Sequence, residues 1–179
     1  MSDTWVAESG RDPRESEGMA RGERAVLVDY LRSYRLTLEL KCEGLTPEQL
    51  ALRSVPPSTM SLLGLVRHLG AVEQSWFRRV MGRRLDLPRL YGKSEHRDAD
   101  FDEAVGTQEC VDEAFATWRA EIAYADSVVS QAESLDVLGE HPEGEIELRE
   151  VLVHLIEEYA RHCGHADLLR ECIDGRTGQ

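Results

Sequence analysis

Val151-Leu152-Val153-His154-Leu155-Ile156-Glu157-Glu158-Tyr159-Ala160-Arg161-His162-Cys163-Gly164-His165-Ala166-Asp167-Leu168-Leu169-Arg170-Glu171-Cys172-Ile173 reads as one long helix. Leu148, Val151, Leu152, Leu155, Ile156, Tyr159 and Ile173 form its apolar stripe. At about 100° per residue, His154, Glu158, His162 and His165 lie within roughly 80° of one another on the edge of that stripe. Half of the chain's 6 histidines therefore fall in this one helix. A row of imidazoles and a carboxylate beside a core-facing stripe differs from an ordinary solvated helix face.

The same spacing recurs upstream. Val26, Leu27, Tyr30, Leu31, Tyr34, Leu38 and Leu40 predict a helix over residues 23–43, ended by Gly44. Thr46-Pro47 opens a single helical turn, with the hydroxyl as cap and the proline at the first helical position. Leu62, Leu65, Val66, Leu69, Trp76, Phe77 and Val80 predict a second long helix over 60–81, with His68 on its flank. Glu73 falls near the centre of its apolar face, where a carboxylate needs a partner. A structural bond to a neighbouring helix is the expectation; the other reading pairs Glu73 with His68. Val111, Phe115, Trp118, Ile122, Ala125 and Val129 predict a third helix over 107–132. The last helix stops at Gly175.

Between the helices lie two long connections, 83–106 and 134–146, read as loops that contain His96 and His141 in polar, solvated surroundings. No stretch alternates as a strand would. The expected fold is all-α: a four-helix bundle over residues 22–179 with long inter-helix connections, preceded by a polar arm, 1–21. Trp5 and Val6 are the only bulky apolar pair in that arm.

The chain has 179 residues and 41% hydrophobic content, enough for one core. Its formal charge of −13 argues against a nucleic-acid partner and against an anionic membrane surface. No apolar run approaches the roughly 20 residues of a membrane span, and the start has no apolar signal-peptide core. A cytoplasmic protein is expected. Its 4 cysteines, Cys42, Cys110, Cys163 and Cys172, form no CxxC pair and read as free thiols, Cys163 as packing.

Reach limits which ligands share an ion. Residues four apart on a helix are separated by about 6 Å along the axis, and residues eight apart by about 12 Å. His154 and His162 are therefore too far apart to share one. Glu158 with His162, His154 with Glu158, and His162 with His165 all remain open, each needing a third ligand from another helix. His68 is the only histidine of the second helix. The bland alternative is a hydrogen-bonded polar seam that holds no metal.

The segment Leu63-Gly64-Leu65-Val66-Arg67-His68-Leu69, followed by Glu73 and Trp76-Phe77, resembles the DinB-like superfamily. So does the ending Val153 to Asp167, and the similarity runs from about residue 23 to the C-terminus. More narrowly, the chain is similar to a single-domain subgroup of that superfamily. The resemblance implies a four-helix bundle holding a divalent metal through one histidine on the second helix and two ligands on the last. Glu158 in place of a histidine is similar to the metal-binding domain of the mycothiol-dependent maleylpyruvate isomerases. By that resemblance the metal ligands are His68, Glu158 and His162. Zinc heads the list of metals, with nickel and iron(II) also compatible. His154, His165 and Glu157 remain as weaker candidates that hold the ligands or handle protons.

Three protein ligands leave an open position, as in catalytic zinc sites. The leading expectation is an S-transferase that uses mycothiol or a related low-molecular-weight thiol, with the metal-activated thiolate attacking a small electrophile. The alternatives are a non-catalytic metal or small-ligand binding protein, a homodimer through one bundle face among them, and a metal-dependent hydrolase.

Overall fold

The computed structural model describes residues 12–15, 18–92 and 98–178; Trp5, Val6 and His96 lie outside them. Its long helices are α1 (Glu23–Cys42), α3 (Leu62–Glu73), α5 (Gln108–Gln131) and α6 (Leu148–Asp174), with single turns α2 (Pro47–Leu50) and α4 (Ala99–Asp102) in the connections. The all-α expectation holds, apart from one short hairpin.

Local chemistry sets the helix ends. Ser61 Oγ accepts from the Gly64 amide and opens α3. Thr107 does the same for α5 by accepting from Cys110, and Thr46 and Gln49 form a reciprocal capping box on α2. Gly175 closes α6 in the left-handed region, at φ 78°.

α6 packs beside α1 and α3, and α3 beside α5, while α1 and α5 meet only sparsely. The core between them includes Leu38, Leu65, Leu69, Trp118, Leu152 and Tyr159, all nearly inaccessible to water. One polar network runs through it. Arg35 of α1 clamps Glu73 of α3 with both carboxylate oxygens, at 2.7 and 2.8 Å. Tyr159 of α6 donates to Glu73 Oε1 at 2.8 Å, and Trp118 Nε1 of α5 donates to the Tyr159 hydroxyl at 2.8 Å. Glu73, 0% exposed, thus ties all four long helices together, and the structural-bond expectation is the one realised.

Three features differ from the sequence reading. The second helix does not stay α-helical to its end. Gln74–Met81 is a π-helical segment, and Gly82 N bonds Phe77 O while Arg84 N bonds Arg79 O. Residues 134–146 are not all loop: β1 (Leu138–His141) pairs antiparallel with β2 (Gly144–Glu147), from Leu138↔Glu147 to His141↔Gly144. The strands are too short and polar to alternate visibly, and they are stabilised by each other and by packing on the π-helical segment. The connection after α3 also contains α4, held down by buried Arg67. Arg67 Nε donates to Asp100 O at 2.9 Å, and its Nη2 donates to Ala99 O at 3.3 Å.

Candidate metal centre

His68 and the α6 row meet where α3 packs against α6. One donor atom each from His68, Glu158 and His162 lies within 4.8 Å of the others. His162 is buried, and the other two are half-buried. Glu158 Oε2 stands 3.4 Å from His162 Nε2, and Glu158 Oε1 stands 3.5 Å from His154 Nε2. These separations are long for hydrogen bonds to a carboxylate. Two donors each about 2.0–2.1 Å from a tetrahedral ion stand about 3.3 Å apart, so the first separation suits a shared ion. His162, then burial, moves the Glu158 carboxyl in opposite directions, and the net effect holds it below its ordinary value. A carboxylate kept ionised is the form a cation needs.

The two histidines are oriented from behind. His68 Nδ1 and Asp100 Oδ2 are 2.7 Å apart. An Nδ1–H donated to that carboxylate leaves the Nε2 lone pair free. Asp100 is itself fixed, because the Phe101 amide donates to its Oδ1 at 3.1 Å. The Phe101 ring packs against the His68 ring, with centroids 5.2 Å apart. Only glycine allows α4 this close. A Cβ on Gly64 would stand 2.7 Å from Phe101 Cδ1 and 3.3 Å from its Cα. Behind His162, the Nδ1 atoms of His162 and His165 are 3.3 Å apart, so one donates to the other. Burial, then His162, holds His165 below the ordinary imidazole range.

Of the weaker sequence candidates, His154 lies against Glu158 and the Trp76 ring, whose centroid is 4.7 Å from its own. His165 touches His162. Glu157 instead is exposed and pairs with Arg161 at 3.1 Å. Sequence reasoning missed Asp100, Phe101, Trp76 and His141 as neighbours of the site. His141, expected in solvent, stacks on Trp76 with planes 6° apart and centroids separated by 5.5 Å. The hairpin carries it there. Only the aspartates of the 83–106 connection signalled Asp100 in the sequence, and nothing singled it out among them.

A family model described as mycothiol-S-transferase matches residues 26–175, which takes in α3, α5, α6, all but the first three residues of α1, and the triad. The chain belongs to this family. The family is DinB-like, in agreement with the helical motifs around His68 and His162. Among curated proteins, none matches the chain. The mycothiol-S-transferase assignment makes a small-molecule thiol the family-level substrate. Among the described residues, no helix is long and apolar enough to cross a membrane.

Proposed function

We propose that this mycothiol-S-transferase family member is a divalent-metal-dependent enzyme that joins the sulfur of mycothiol, or a related low-molecular-weight thiol, to a small electrophile. The observation that carries the reading is the convergence of His68, Glu158 and His162, with Asp100 bonded to the far nitrogen of His68. Two imidazoles and one carboxylate suit zinc, the first choice, and also nickel or iron(II).

His68, Glu158 and His162 would hold the ion. When bound, the ion supplies Lewis acidity at an open position, where a thiol is ionised well below its ordinary pKa. Asp100 keeps His68 in the tautomer that faces the centre. Glu158 offers a charge that offsets the cation, and His162 is steadied by His165. The proton that the thiol loses before attack passes to His154 or His165, both half-exposed, and on to solvent. The thiolate pair then forms the S–C bond while the electrophile's leaving group departs to solvent with the electrons of the bond that breaks. Trp76, Phe101 and His141 wall the site with aromatic rings, which restrict water around the sulfur. Glu157 takes no part.

The test is elemental analysis of protein purified without an affinity column, followed by turnover assays with mycothiol and monochlorobimane. Stoichiometric metal and turnover, both lost in a folded His162→Ala variant, are expected. A metal-loaded protein inert with mycothiol and with every other small thiol tried would overturn the reading.

A further inference from the structure

A concavity lies where α1 and α5 fail to close, away from His68, Glu158 and His162. Ala25, Val28, Arg32, Leu36 and Glu39 face it from α1, and Trp118, Ile122, Ala123, Asp126 and Val129 from α5. Each set follows the three- and four-residue spacing of one helix face, so the cleft runs along both helices. Its volume is about 980 Å³. It continues into a 610 Å³ extension that shares Leu36, Glu39 and Arg119. Ligand sites typically occupy about 300–1,000 Å³. Alanines at 25 and 123, both exposed, leave the space unfilled.

The charge of this cleft is opposite to that of the chain. Arg21, Arg24, Arg32, Arg35 and Arg119 line it, against only Glu23, Glu39 and Asp126. The whole chain carries −13. Arg35 is the decisive member. It is 7% exposed, its Nε and Nη2 are committed to Glu73, and its Nη1 reaches Asp126 at 2.8 Å. The Asp126 side chain is 63% exposed, so this third contact is made by a group that solvent already competes for. A second copy docked face to face would bring one set of arginines against another, which disfavours self-association here.

We propose that the α1–α5 cleft is a separate binding site for a small amphipathic carboxylate. The carboxylate takes the place of Asp126 on Arg35 Nη1, and a hydrocarbon or aryl body lies over Val28, Trp118 and Ile122. The site is independent of the metal centre, which lies between α3 and α6.

Calorimetric titration of the full chain with decanoate, decanol and decyltrimethylammonium, each below its micelle concentration, tests this. Decanoate saturates one site. Decanol binds about tenfold or more weakly, the loss expected for a missing hydrogen bond to a charged group. The cation does not bind. Ala123→Trp fills the cleft and abolishes decanoate binding without changing the helical circular dichroism. Asp126→Ala removes the competitor and tightens decanoate binding. Equal affinity for decanoate and decanol overturns the proposal, as does decanoate binding that survives Ala123→Trp. Decanoate binding seen only in Trp5→Ala would assign the cleft to the chain's own first residues. A dimer that dissociates in Ala123→Trp, with no decanoate binding in wild type, would assign it to a second copy. Either result overturns the proposal.

Discussion

Asp100→Ala isolates the part of the centre that touches no ion. The carboxylate sits 2.7 Å from His68 Nδ1, and its removal takes away that nitrogen's acceptor among the described residues. A hydrogen bond to a charged group contributes about 1.5–3 kcal/mol, and 1.4 kcal/mol is tenfold in Kd, so the range is about 10–100-fold. The His68 side chain is 27% exposed, so water replaces part of the lost bond and the effect falls near the low end, about tenfold. Asp100→Asn keeps an acceptor oxygen and loses only the charge, so its Kd rises less, by about threefold. Arg67→Leu touches neither the histidine nor the ion, yet it frees the two carbonyls that hold α4. It is expected to weaken metal binding as Asp100→Ala does, with partial recovery in Arg67→Lys. The assay is competition between the protein and a chromogenic zinc chelator, alongside nitrogen NMR of the His68 ring to read its tautomer. An Asp100→Ala Kd within twofold of wild type, while His68→Ala loses binding, would refute the reasoning.

Three further outcomes follow from other parts of the fold. Glu73→Leu leaves Arg35 buried opposite an apolar side chain and should cost about 3–5 kcal/mol in urea unfolding, the usual penalty for half of a buried ion pair; a loss under 1 kcal/mol would mean that Asp126 or water takes over the guanidinium. Gly64→Ala pushes Phe101 and α4 off α3, and calorimetry should show a loss of about 1–3 kcal/mol together with weaker zinc binding, whereas an unchanged protein would show that α4 moves freely. Burial pushes the Cys42 and Cys163 thiols up from 9.0 to about 12. Both stay protonated when folded between those values while the unfolded chain ionises, so stability is intact below pH 9 and falls as pH rises towards 12. At pH 8, a disulfide reagent should label exposed Cys172 rapidly and reach Cys42 and Cys163 only after unfolding.

Relations within one helix were legible because helical pitch fixes them: the α6 row and the position of His68 on the flank of its helix follow from spacing. Reach left three ligand pairs open, and only the family resemblance singled out Glu158 with His162. The partner that orients His68 was not legible. Asp100 lies thirty-two positions away in a segment without periodicity, and it is brought in by contacts such as those of Arg67 and the missing Cβ of Gly64, which no spacing announces. Trp76 was visible as an apolar residue, but its stacking on His141 depends on a hairpin too short to declare itself. Glu73 was legible as an anomaly, since a carboxylate on an apolar face requires a partner. Which partner it takes is a matter of which helix faces it, and that required the packed bundle.

The change of helical pitch after Glu73 has a consequence for how such a site can diversify. A wider helix advances less than the α-helical 100° or so per residue, and over Gln74–Met81 the lag adds up to roughly one residue's rotation. Glu73 faces the core, while Trp76 faces the hairpin and the end of α6. Losing one residue ahead of Trp76, at Gln74 or Ser75, would turn the indole away from the hairpin while His68 upstream stays in place. Insertion and deletion at this one place therefore offer a route to reposition the Trp76–His141 stack while His68, Glu158 and His162 keep their places.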